Sequence, residues 1–151
     1  MPSFSVTKNA TATHSINWNH PERAKIKNGT FASNTTGDTI TLDNFGFSIP
    51  DGAFINGVKI TATRRGSVGG MLENILLVAA GYTVTSTGWS IPWRRLRTRN
   101  LGSSISIPGV VGGFLAPADI NASTVGVQYS KAFTGTIFLD GISLTVYYTT
   151  A

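Results

Sequence analysis

Trp89-Ser-Ile-Pro-Trp-Arg-Arg-Leu-Arg-Thr-Arg99 holds the densest set of recognition-type side chains in this sequence. Trp89 and Trp93 offer large apolar rings, and Arg94, Arg95, Arg97 and Arg99 offer guanidinium forks. A guanidinium pairs through two parallel hydrogen bonds with a carboxylate or phosphate, and Trp anchors buried contacts. In a strand, Arg95, Arg97 and Arg99 would share one face. The segment is therefore the candidate surface for contact with a protein partner. Two alternatives stand beside it: a solvated strand face next to a core Trp, or a weak grip on a phosphate backbone at low salt. Neither a recognition helix nor a stacking platform accompanies the arginines.

Other chemistries find less support. His14 and His20 are the only histidines, six residues apart, and that spacing matches no zinc motif. With no cysteine, disulfides and thiolate metal sites are excluded. The acids are Glu22, Asp38, Asp43, Asp51, Glu73, Asp119 and Asp140, most of them at turn positions. Nothing singles out two of them as a hydrolytic pair. Gly66-Ser-Val-Gly-Gly70 lacks the Lys-Ser/Thr ending of a phosphate loop, so it reads as a turn. Asn-x-Ser/Thr triplets begin at Asn9, Asn28, Asn34 and Asn121, as a chain rich in these residues produces by composition alone. No catalytic residue, cofactor or metal is expected.

The elements that must position these residues follow from composition and alternation. The 151 residues suit one domain. Charged residues make up 13%, against about 25% in an average globular protein. Of the net charge of +5, four units come from Arg94, Arg95, Arg97 and Arg99, leaving +1 for the remainder. The first residues show no basic start followed by an apolar core, so no secretory signal is expected. No apolar run approaches the ~20 residues of a membrane helix, and no membrane contact is expected.

Abundant Thr, Ser, Val and Ile, with frequent Gly and Pro, favour strands joined by turns. Residues 1–27 read as an N-terminal arm and first loop, and residues 28–151 as a single β-sandwich domain. Asn44-Phe-Gly-Phe-Ser-Ile-Pro50 reads as a strand, with Pro50 at the second position of a turn and Gly52 accepting left-handed geometry. In the next strand Val58, Ile60 and Ala62 alternate with Lys59, Thr61 and Thr63, giving one buried and one wet face. Met71–Ala80 reads as a strand rather than a helix, with Glu73 at an exposed edge. Ala118-Asp-Ile-Asn121 makes one helical turn or a bend. The closing strand spans Thr136–Thr149, and its apolar phase changes at Asp140-Gly141, as a β-bulge requires. Tyr148 follows the buried set and Tyr147 faces out. The fold class is all-β: an antiparallel β-sandwich, a jelly roll of about eight strands.

The order of these motifs resembles bacteriophage virion and prophage β-sandwich structural proteins. The matching residues are Trp18-Asn-His-Pro21, Asn44-Phe-Gly-Phe-Ser-Ile-Pro50, Ile55-Asn-Gly-Val58, Trp89, Asn121-Ala-Ser-Thr-Val-Gly-Val127 and Leu144-Thr-Val-Tyr-Tyr148. Arg94–Arg99 and Pro108-Gly-Val-Val-Gly-Gly-Phe114 depart from that pattern. The resemblance implies a non-enzymatic part of a tailed-phage particle, located on the virion after synthesis in the host cytoplasm. The first expectation is a capsid decoration (cement) protein that binds the major capsid protein or a tail protein and forms a homo-oligomer such as a trimer. The alternative is a tail or fibre accessory module that binds host-receptor carbohydrate, with exposed Tyr147 and Trp93 as a sugar platform. Nucleic acid is the least favoured partner.

Overall fold

The computed structural model describes residues 2–79, 82–90, 97–104, 115–132 and 134–150; within Tyr82–Ser90 and Arg97–Ser104 it describes the backbone alone. Among the described residues are ten strands: β1 (Ser3–Asn9), β2 (Ala12–Ser15), β3 (Ala32–Asn34), β4 (Ile40–Asp43), β5 (Phe54–Gly66), β6 (Leu72–Ala79), β7 (Tyr82–Ser90), β8 (Arg97–Ser104), β9 (Gly126–Ala132) and β10 (Ile137–Thr149). A 3₁₀ turn at Pro21–Ala24 and a short helix, α1 (Pro117–Asn121), complete the regular structure.

The strands form two antiparallel layers. The first sheet runs β1-β10-β5-β8, with β3 also paired to β10; the second runs β2-β4-β9-β6-β7. From β1 to β6 each successive strand changes layer, and β6–β7 is a hairpin within one layer. This is the antiparallel sandwich expected from the alternation, with ten strands rather than eight. Residues 1–27 are more than an arm and loop: they supply β1 to the edge of one sheet and β2 to the edge of the other.

Alternation sets the faces. In β5, Ile55, Val58, Ile60 and Ala62 are buried, and in β10 their partners Tyr148, Val146, Leu144 and Ile142 line the same interior. From the second sheet, Leu42, Ile75, Leu77, Val127 and Tyr129 close the core. The indole of Trp18 packs edge-on against Tyr129, and its Nε1–H donates to the carbonyl of Asp38 at 2.8 Å.

Residues 44–50 alternate as predicted but form no ladder. Phe45, Phe47 and Ile49 are buried, yet Asn44 (φ 56°) and Gly46 (φ 74°) adopt left-handed backbone that no regular strand contains. At Ile49 the hydrogen bonding comes instead from one side chain. Asn121 of α1 accepts from the Ile49 N–H at 2.8 Å and donates to the Ile49 carbonyl at 3.0 Å, as a neighbouring strand would. The following turn is shifted by one residue from expectation. The Ala53 N–H donates to the Pro50 carbonyl, so Pro50 holds the first position and Gly52 (φ 80°) the third.

The phase change in β10 is real: the register with β5 jumps between Leu139 and Gly141. It falls where the flank of β10 is vacated, since β1 ends its pairing at Ser143 and β3 pairs only from Leu139 down. The backbone after the 3₁₀ turn fills that interval. Asn28 and Gly29 N–H groups donate to the Asp140 carboxylate at 2.9 and 3.1 Å. A β-carbon on Gly141 would lie 2.5 Å from the Lys27 amide nitrogen. Gly141→Ala is therefore expected to cost about 1–3 kcal/mol, because backbone rather than a flexible side chain must move; a lowered urea midpoint at unchanged slope is the measurement.

Candidate functional site

The residues singled out for partner contact do not gather on one strand. Trp89 lies in β7 of the second sheet, in register with Glu73. Arg97 and Arg99 lie in β8 of the first sheet, in register with Arg64 and Ala62. Trp93, Arg94 and Arg95 are outside the described residues, so the alternating arginine trio and the Trp93 platform are too. The histidines form separate pairs: His14 with Asp43 at 3.0 Å, and His20 with Glu22 at 3.3 Å. Among the described residues, no three His, Asp or Glu side chains converge as a metal site, and no helix is long and apolar enough to cross a membrane.

A charged cluster does exist, but inside the sandwich. Arg64 of β5 and Glu73 of β6 are 4% and 0% exposed. The Arg64 Nε–H donates to Glu73 Oε2 at 2.8 Å, and Nη2 donates to Oε1 at 2.8 Å. The Tyr129 hydroxyl, from β9, donates to Oε2 at 2.6 Å. Glu73 is thus not at an exposed edge as its place near the strand start suggested. It shares the parity of Ile75, Leu77 and Ala79, so the pleat turns it inward.

Burial, and after it the Glu73 charge, raises the Tyr129 hydroxyl well above the ordinary tyrosine range. A proton held this tightly, in a cluster with no solvent access, does no acid–base work near neutrality. The cluster is a clamp between the two sheets. Two outcomes follow. Arg64→Met is expected to lose about 3–5 kcal/mol in urea unfolding, whereas Arg64→Met with Glu73→Leu regains most of it, since removing both charges leaves none unpaired. The second concerns alkali. The Tyr129 contribution is complete below the unfolded value near 10 and is lost as pH rises above it, because only the unfolded chain then releases the proton. Tyr129→Phe is expected to flatten that alkaline decline.

The accessible polar constellation is the outer face of the first sheet. Lys59, Thr61, Thr63 and Arg65 of β5 lie on that side, beside the outward residues of β10 and β1, although Thr63 is only 2% exposed. Lys59 is in register with Thr145 and Thr7, and Thr61 with Ser143 and Asn9. The hydroxyls of Thr7 and Thr145 hydrogen-bond at 2.8 Å. A groove of about 160 Å³ runs between this face and the loop over the bulge, lined by Asn9, Lys27, Thr61, Thr63, Gly141 and Ser143. It is smaller than the ~300–1,000 Å³ of an enclosed small-molecule site.

Aromatic rings lie further along the strands in both directions from the groove. Toward one end Tyr147 is 37% exposed, with the Lys59 ammonium 6.0 Å from its ring centre, and Phe54 is 62% exposed two register rows further along. Tyr148 turns the other way and stacks on Phe4 at 5.2 Å, so the predicted division of the two tyrosines holds. Toward the other end the Arg65 guanidinium lies 4.1 Å from the Phe138 ring centre and 5.2 Å from that of Phe31. The outer face of β5 was evident in Lys59 and Thr61, whereas Thr63, expected to be wet, is buried on the same side. The parts missed were Lys27, Asn9 and Ser143, which reach the groove from distant sequence.

Comparison with family models and with curated protein sequences yields no match. Solved structures do match in fold. One is the C-terminal family 6 carbohydrate-binding module of LamC, a marine laminarinase from Zobellia galactanivorans. It is 13% identical, covers 95% of this chain and 98% of its own, and has a TM-score of 0.52. Another is a family 29 carbohydrate-binding module from Piromyces equi, 9% identical over 96% of this chain and 91% of its own, with a TM-score of 0.50. The class defined is an antiparallel β-sandwich of the architecture seen in carbohydrate-binding modules. At these identities the likeness is one of fold.

Proposed function

We propose that this chain is a non-catalytic glycan-binding module whose ligand lies across the outer face of the first sheet. The observation that carries the reading is the placement of two exposed aromatic rings, Phe54 and Tyr147, in line with a groove lined by hydroxyl and amide groups. Sugars present apolar C–H faces edged by hydroxyls, so a binding surface needs both kinds of group. A shallow, open groove suits a chain lying across it better than a small molecule enclosed in it. The carbohydrate-binding modules among the structural neighbours support the same reading.

The resemblance of the sequence motifs to phage virion sandwiches supports placing the module on a tail or fibre, where host-surface carbohydrate is the partner. Capsid decoration rests on that resemblance alone, and no feature of the outer face adds to it. No reaction is assigned. The two acids buried in the sandwich, Glu73 and Asp140, are engaged by Arg64 and by loop N–H groups respectively. Assembly into a homo-oligomer such as a trimer would multiply a weak single-site affinity.

A glycan array probed with the intact chain, followed by titration of the best ligand, tests the reading. Tyr147→Ala and Phe54→Ala are each expected to weaken binding by about 5- to 30-fold, the effect of truncating an interface aromatic worth roughly 1–2 kcal/mol. Absence of binding to any polysaccharide by folded protein at millimolar sugar would refute it.

A further inference from the structure

The charge on this face is one-sided. Lys59 and Arg65 extend from β5 on the side that carries Thr61 and Thr63, and Lys27 lines the groove between them. Lys59 and Arg65 are six residues apart, about 20 Å along a strand. The acids lie elsewhere. Asp43 meets His14 on the second sheet, Asp38 is bonded by Asn17 and Thr36, and Glu22 is beside His20. Asp119 accepts from the Ala116 N–H at the start of α1, and Asp51 sits in the turn before β5. Glu73 is inside the core. Asp140 is 1% exposed, and its carboxylate is turned to the Asn28 and Gly29 N–H groups.

The groove thus offers hydroxyl and amide partners for a sugar on a face that carries Lys59 and Arg65, with Lys27 in its lining. Two of those cations are oriented by rings: Lys59 over Tyr147, and Arg65 between Phe31 and Phe138. A preset guanidinium loses little freedom on pairing with a carboxylate or sulfate, and such charge-assisted bonds are the stronger kind. Resting on the glycan reading above, we infer that the ligand is an acidic polysaccharide, bearing carboxylate or sulfate groups, selected by Lys27, Lys59 and Arg65. The spacing favours this over nucleic acid. Each strand of a nucleic-acid duplex carries a charge about every 3.4 Å along the axis, far denser than three cations along some 20 Å. A glycan with charge on some of its units matches that sparse array.

Isothermal titration of the full chain against four polymers tests it: a neutral glucan, a polyuronate, a sulfated glucan and single-stranded DNA. At about 50 mM salt, the polyuronate or the sulfated glucan is expected to bind at least ~10-fold tighter than the neutral glucan, and at about 500 mM salt that preference should collapse. The tighter of the two names the anionic group. Lys59→Gln and Lys27→Gln are each expected to lower the acidic-to-neutral affinity ratio by roughly 3- to 10-fold, and Lys59→Arg to preserve it. Equal affinity for neutral and acidic polymers overturns the inference while leaving the glycan reading in place. Binding of DNA as tight as that of the acidic polymers also overturns it, by exposing a charge attraction without sugar recognition. Failure of every polysaccharide to bind removes both.

Discussion

The bond between Arg64 and Glu73 helps to decide which way β5, one of the two longest described strands of the sandwich, faces. β5 contributes to both sides of the first sheet, and a slip of one residue would exchange them. Such a slip would carry Lys59 into the core and turn Val58, Ile60 and Ala62 out to water, at a cost far above that of any surface contact. With Arg64 held inward by Glu73, and Glu73 also bonded by Tyr129, the alternate residues from Lys59 to Arg65 lie on the other face. Lys59, Thr61 and Arg65 are therefore turned to the outer face by an interaction on the opposite side of the same strand, with the 2%-exposed Thr63 between them. Replacing the clamp with apolar residues need not weaken the fold, so its contribution is to specificity of register more than to net stability.

The groove depends on a second local irregularity. A regular β10 would need an unbroken neighbour along its whole outer flank, and the sheet face would then be flat. The bulge at Asp140-Gly141 interrupts that edge, and the missing side chain of Gly141 lets the Lys27 backbone rest on the sheet. The buried Asp140 carboxylate is in turn satisfied by two loop N–H groups. The result is a raised wall on one side of a polar face. Regular pairing supplies the rigid floor, and the departure from it supplies the relief.

Much of this was legible in the residues. Period-two alternation located β5, β6, β9 and β10, and the phase change in β10 located the bulge. The same parity, applied to charged positions, would have found the clamp: Arg64 continues the Val58, Ile60, Ala62 series, and Glu73 opens the Ile75, Leu77, Ala79 series. Its position near a glycine-rich turn made Glu73 look like an edge residue instead. What alternation alone does not reveal is contact across long stretches of chain. Asn28 meets Asp140 across 112 positions and Asn121 meets Ile49 across 72, so neither the groove wall nor the substitute strand partner leaves a local pattern. The Trp89–Arg99 segment drew attention by composition, yet its ends belong to different sheets.

The first and last strands of the chain are neighbours in one sheet. Ser3 is in register with Thr149, and the Thr150 N–H donates to the Pro2 carbonyl at 3.1 Å. The backbone is in this sense a nearly closed loop. Ligating those two ends and opening a turn on the far rim would reorder the polypeptide while preserving each of its ladders, so the architecture is a property of the ring of strands rather than of the order in which a ribosome makes them.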